Sequence, residues 1–191
     1  MNIKVNTEGK VKLMLSITLL IYSFYIYIIT GSFLPFIAML FSTIGDIAIM
    51  SYRNVFRKKK SMHLMYGVIA FCMAHITYIL AMPTQINKLL LYAATIAFVF
   101  LVMLLFFNSE RKVKNLVFFL YSLVIGANLI NTFFFDNLAF IGMLLFTLSD
   151  LVLLIGEKLK INGIWLQVII WATYVPAEAL LLTSLLKHMI L

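Results

Sequence analysis

The sequence predicts an all-α fold, a polytopic membrane helix bundle of about seven transmembrane helices. The chain has 191 residues, of which 64% are apolar and only 12% charged, and its mean hydropathy is +1.07. A soluble domain of this length has nowhere to bury so much apolar surface, so the bilayer is its natural solvent. The apolar residues also gather into runs of about 20, the length an α-helix needs to cross roughly 30 Å of hydrocarbon. Between the runs lie short polar breaks, and none is long enough to fold by itself.

The runs lie near residues 11–30, 33–52, 63–82, 88–107, 114–133, 138–156 and 163–186, within one transmembrane domain over residues 1–191. The first follows the polar segment MNIKVNTEGKVK. It lacks a small-residue cleavage site, which predicts a retained helix rather than a signal peptide. Thr30-Gly31-Ser32 separates the first run from the second, and Met82-Pro83-Thr84 closes the third. Ile161-Asn162-Gly163 precedes the seventh. Each is a composition that breaks helices and makes turns.

Charge then sets an orientation. Lys4, Lys10 and Lys12, then Arg53, Arg57, Lys58, Lys59 and Lys60, then Arg111, Lys112 and Lys114, then Lys158 and Lys160 all fall on one side of a seven-span chain. Only Lys88 and Lys187 fall on the other. The positive-inside rule places the N-terminus in the cytoplasm and the C-terminus outside a cell membrane. The cluster RNVFRKKK reads first as this topogenic signal and second as an attraction for anionic lipid. A net charge of +8 does not indicate nucleic acid here, because the basic residues sit in short loops. The single cysteine, Cys72, excludes an intramolecular disulfide framework and reads as a packing residue.

Acids stand where they are least welcome. Asp46 in FSTIGDIAIM, Asp150 in LLFTLSDLVLL and Glu178 in ATYVPAEALLL account for three of the chain's seven Asp and Glu. A carboxylate in mid-helix within lipid costs on the order of 2.5–3.5 kcal/mol. Asp46 lies seven residues before Arg53, and Asp150 seven before Glu157, so both sit roughly 10 Å below the basic edge. A single buried Asp can be a structural hydrogen-bonding residue. Two at one depth, preceded by Gly45 and Ser149, point to a site.

Other polar residues gather near the same level. The third run brings His75, Thr77 and Tyr78 toward the midplane, with Tyr66 nearer the basic end. Tyr78 at i+3 and Phe71 at i−4 share a helix face with His75. The seventh run adds Tyr174 and Glu178, with Pro176 expected to kink the helix. The fifth adds Asn128 and Asn131. Tyr22, Tyr25, Tyr27 and both Trp read as interfacial or packing aromatics, and His63 and His188 as solvated span ends. A faint internal echo links Phe41-Ser42 before Gly45-Asp46 to Phe146-Thr147 before Ser149-Asp150. Duplication would make runs two–three and six–seven parallel repeats around the polar site; convergent patterning would leave the same trace.

In order and spacing, FSTIGD, Gly67-x3-Phe71-x2-Ala74-His75-x2-Tyr78, LLFTLSD and Tyr174-x2-Ala177-Glu178 resemble the YhhN-type lysoplasmalogenase family of integral membrane proteins, over roughly residues 10–186. Two departures stand out. The family usually shows a further helix before the first one here, and its last motif usually ends in Gln where this chain has Glu178. The resemblance implies hydrolysis of the vinyl-ether bond of lysoplasmalogens to a fatty aldehyde and a glycerophospho-alcohol. That chemistry asks for one protonated carboxylic acid and one ionised carboxylate, as in glycosidases. Asp46 and Asp150 are the expected pair, in either order, with His75 and Tyr78 orienting water or the ether oxygen. Glu178, Tyr174, Asn128 and Ser149 are expected to line the pocket, and Lys10 or Lys12 to hold the substrate phosphate at the cytoplasmic entrance.

The expected partners are a lysophospholipid substrate and the bilayer, with no nucleic acid, no cofactor and no metal. Two rivals have a stated chemistry. A metal-dependent intramembrane hydrolase would need Asp46, Asp150 and His75 as its three ligands. A small proton- or cation-coupled transporter would use Asp46, Asp150 and Glu178 as an ion path.

Overall fold

The computed structural model describes residues 7–54, 60–84, 112–159 and 164–191. These form six α-helices: α1 (Thr7–Thr30), α2 (Leu34–Asn54), α3 (Lys60–Ala81), α4 (Lys112–Phe135), α5 (Asn137–Leu159) and α6 (Ile164–Ile190). They lie over the first, second, third, fifth, sixth and seventh apolar runs. The fourth run, near 88–107, is outside the described residues. Five of the helices carry stretches long and apolar enough to cross a membrane: Val11–Thr30, Met62–Ala81, Leu116–Phe135, Asn137–Gly156 and Trp165–Ile190. The apolar part of α2 is shorter, Leu34–Met50.

Local chemistry explains the helix ends. After Thr30 the chain turns at Gly31, whose φ of 71° is the left-handed conformation that favours glycine at a helix C-terminus. Its N–H still donates to the Tyr27 carbonyl at 2.9 Å. Pro35 falls in the first turn of α2, where no backbone donor is needed. Pro83 follows α3 and stops it. Pro176, by contrast, lies inside α6 without ending it.

The helices pack in chain order, each against the next, and α6 returns to α1, so the described helices close a ring. The hairpins α2–α3 and α5–α6 are the most extensively packed pairs. Small residues allow this. A Cβ added at Gly67 would come within 2.7 Å of Ile49 and 3.3 Å of the Gly45 carbonyl, and one at Gly142 within 3.0 Å of the Ala177 carbonyl. Such close approach is how membrane helices gain packing without a hydrophobic driving force between them.

The distribution of residue types is that of a membrane protein. Met14, Ile21, Ile28, Leu80 and Phe133 are exposed on the outside. Asp46, His75, Asn128 and Glu178 are fully buried inside the ring. The chain is therefore a multi-pass bundle with an apolar exterior and a cluster of polar residues enclosed in its largely apolar core.

At the end of the bundle away from the basic loops, Asp136 ties three elements together. Its carbonyl accepts from the Phe140 N–H at 2.9 Å and its side chain from the Leu138 N–H at 3.2 Å, an N-cap for α5. Ser184 of α6 donates to the same carboxylate at 2.9 Å, and Lys187 lies 3.3 Å from its other oxygen. Burial pushes the Asp136 carboxyl up, but the hydrogen bonds from Ser184 and Lys187 outweigh it and hold the group below its usual 3.8. Because Lys187 is half exposed, the cap and the serine matter more than the ion pair. Asp136→Ala should lower stability by about 1 kcal/mol. The ionised carboxylate is the stabilising form, so in thermal melts the gap between wild type and variant should be full above the usual 3.8 and close as pH falls through the lowered folded value.

Candidate active site

Inside the ring, each buried acid has its own polar partners. Asp46 projects from α2 toward α1. Its Oδ1 lies 2.7 Å from the Lys12 ammonium, and its Oδ2 accepts from the Ser16 hydroxyl at 2.6 Å. Lys12 and Ser16 are one helical turn apart on α1, so they meet the same carboxylate. Asp46 has no exposure, and Lys12 only 8%. The ammonium also sits 5.5 Å from the centre of the Tyr174 ring, within cation–π range.

Asp150 has different company. The Tyr121 hydroxyl of α4 donates to its Oδ2. Among the described residues it makes no ion pair. It opens instead onto an apolar crevice, walled by Ile49, Leu64, Val68, Phe118, Leu153 and Leu154. Phe71, Tyr121 and Asp150 lie about a turn further from the basic loops than their neighbours on the same helices, so they form the inner end of the crevice.

Glu178 lies where α2, α3 and α6 meet. Its Oε1 accepts from Ser42 at 2.7 Å and its Oε2 from the Tyr78 hydroxyl at 2.5 Å. Ser42 is one turn from Asp46, so α2 serves two acids from one face. Between the Tyr121–Asp150 and Tyr78–Glu178 pairs sits the His75 ring, 6.3 Å from the first tyrosine ring and 6.2 Å from the second. The edge-to-face contact with Phe146 at 4.3 Å fixes its plane. The Asn128 amide donates to His75 Nδ1 at 2.9 Å, which leaves the ring hydrogen on Nε2. His75 Nε2, Asn128 Oδ1 and the Tyr174 hydroxyl find no hydrogen-bond partner among the described residues. Leaving such buried groups unpaired costs about 1–3 kcal/mol each, and they mark where a polar ligand would be welcome.

The residues expected from sequence are distributed as follows. Asp46, Asp150, His75, Tyr78, Asn128, Tyr174 and Glu178 all face the interior. Asp46 and Asp150 are not hydrogen-bonded to one another; each is held by a different helix. Lys12 reaches Asp46 inside the bundle. Ser149 donates to the Ile170 carbonyl at 3.1 Å and so ties α5 to α6. Asn131 donates to the Met82 carbonyl and accepts from Thr84, which anchors the end of α3. The side chain of Lys10 lies outside the described residues. Among the described residues no three His, Cys, Asp or Glu converge to hold a metal ion. Ser16, Ser42 and Tyr121 are partners of the acids that motif reading passes over. Helical spacing points to them: Ser16 is four from Lys12, Ser42 four from Asp46, and Tyr121 two turns from Asn128.

A family model described as the YhhN family matches residues 10–185. Searches of curated proteins and of solved structures returned no match.

The crevice depends on a glycine. A Cβ at Gly45 would lie 2.8 Å from two carbons of the Phe71 ring, closer than real contacts allow. Phe71 packs on Phe146 and Tyr174 with ring centres 5.9 and 6.0 Å away, so the ring has little room to retreat. Gly45→Ala should therefore destabilise the folded protein by about 1–3 kcal/mol in thermal melts. Adding Phe71→Leu should restore much of the loss; a double variant no better than the single one would contradict this packing.

Proposed function

The chain belongs to the YhhN family, and from that premise and the arrangement of its buried acids we propose that it hydrolyses the vinyl-ether bond of lysoplasmalogens. The products are a fatty aldehyde and glycerophosphoethanolamine or glycerophosphocholine. The observation that carries this reading is the unequal company of the two aspartates. Asp46 has a lysine at 2.7 Å, whereas Asp150 has a tyrosine hydroxyl and an apolar crevice. Buried acids so placed divide into an anion and a proton carrier.

Asp150, at the inner end of the crevice, is the proton donor. Its proton passes to the β-carbon of the vinyl ether, and the double-bond electrons move to form an oxocarbenium ion. Asp46 is the ionised carboxylate that favours positive charge nearby. Water then adds its oxygen to the ether-bearing carbon, and the proton it releases returns to the Asp150 carboxylate. The hemiacetal then collapses: Asp150 gives its proton to the glycerol oxygen as that carbon–oxygen bond breaks, and the hemiacetal hydroxyl returns a proton to the Asp150 carboxylate as the aldehyde forms. His75, fixed by Asn128, presents Nε2–H as a donor to the water or the ether oxygen. Tyr174, its hydroxyl beside Asp46, and Tyr78 and Glu178 next to His75 complete the buried polar cluster around the two aspartates. We place the basic ends of the helices in the cytoplasm of a cell membrane, so the substrate approaches from the inner leaflet with its phosphate toward the basic loops.

Purified protein should release aldehyde from lysoplasmenylethanolamine and none from its saturated-ether analogue. Asp150→Asn and Asp46→Asn should each lower turnover on the order of 10³-fold, with melting temperatures close to wild type for Asp150→Asn. Substantial activity in either variant would remove the acid pair. Ion-coupled flux into liposomes without any aldehyde would identify a carrier instead.

A further inference from the structure

We infer that Lys12 sets the charge of the acid pair: its ammonium holds Asp46 ionised inside the membrane, making Lys12 a positioning residue rather than a phosphate ligand. The inference rests on the reading above of Asp46 as the anionic member of the pair.

The geometry is specific. Both oxygens of Asp46 are engaged by α1, one by Lys12 at 2.7 Å and the other by Ser16 at 2.6 Å. The lysine side chain is 10% exposed and the aspartate side chain not at all. An ammonium so enclosed has lost the water that would let it stand alone, so it needs an anion as much as Asp46 needs a cation. The buried residues of the described helices include this one Lys and no Arg. The Tyr174 ring, 5.5 Å from the ammonium, favours positive charge at the same spot.

The other groups near Asp46 could not do this. Among the described residues, the other ionisable groups within electrostatic reach of Asp46 are Tyr174 and Glu178 on α6 and Asp150 on α5. Two of these are acids themselves and the third is a phenol. Without Lys12, Asp46 would lose the one cation placed on it among the described residues, and a buried carboxylate left without a counter-charge favours its neutral form. The division into one anion and one proton donor would be gone. Lys12 also comes from α1, the helix that closes the ring between α2 and α6. The charge of the site therefore depends on α1 being docked.

Infrared spectroscopy of the protein in lipid reads the charge directly. Lys12→Met should gain one protonated-carboxyl band relative to wild type, and adding Asp46→Asn should remove it. The kcat for aldehyde release should fall on the order of 10²-fold with KM little changed. Lys12→Arg, which keeps the cation, should lack the new band and keep most of kcat. Should Lys12→Met fail to fold, Lys12→Gln carries the same comparison. A carboxyl spectrum unchanged by loss of the lysine would overturn the charge assignment, and a changed spectrum with unchanged kcat would overturn its role in turnover. If wild type releases no aldehyde, the hydrolase reading falls, while the infrared comparison still decides what Lys12 does to Asp46.

Discussion

A charge inside hydrocarbon must find a partner or give up its charge, and the interior of this protein is arranged around that constraint. Three carboxyl groups lie within one ring of helices, and each is met by a hydroxyl from a neighbouring helix. Ser16 serves Asp46, Tyr121 serves Asp150, and Ser42 with Tyr78 serves Glu178. Among the described residues, Asp46 alone of the three also meets a cation. These contacts link α1 to α2, α4 to α5, and α2 and α3 to α6, so the polar interior helps to hold the helices in place. In lipid, where apolar surfaces gain nothing by leaving one hydrocarbon for another, such bonds and close packing are what remains to drive association.

The same arrangement separates functions along the bundle. Close approach at Gly45 and Gly67 lets α2 and α3 pack tightly, and the space left beside α4 and α5 is the crevice ending at Asp150. Phe71 stands at the join. It lines the crevice on one side and touches Gly45 beside Asp46 on the other. His75 occupies the space between two tyrosine–carboxyl pairs, its ring held by Asn128 and Phe146. At the far end, Asp136 closes the turn between α4 and α5 with ordinary capping chemistry. The site is thus confined to the interior, while the apolar outer surface answers only to the bilayer.

Much of this is legible in the sequence. Hydropathy and the length of a bilayer span locate the six described helices to within a few residues, because a membrane helix must satisfy all its backbone bonds internally. The acids Asp46, Asp150 and Glu178 stand out for the same reason. What the sequence hides is pairing. Depth places Asp46 and Asp150 at one level, but depth has no azimuth, and only the folded ring turns Asp46 toward α1 and Asp150 toward α4. Lys12 reads as an interfacial cation because it lies near the start of the first run. Its long stem lets the ammonium reach inward to Asp46, a direction that hydropathy does not register. Ser149, next to Asp150, also binds a backbone carbonyl of α6, a contact the sequence does not reveal.

The central claim is that a buried carboxylic acid protonates carbon, and isotope labelling tests it most directly. Hydrolysis of lysoplasmenylethanolamine in deuterium oxide, with the aldehyde trapped as it forms, should place one deuterium on the carbon next to the aldehyde group. An aldehyde formed without that label, or no aldehyde at all, would contradict the account.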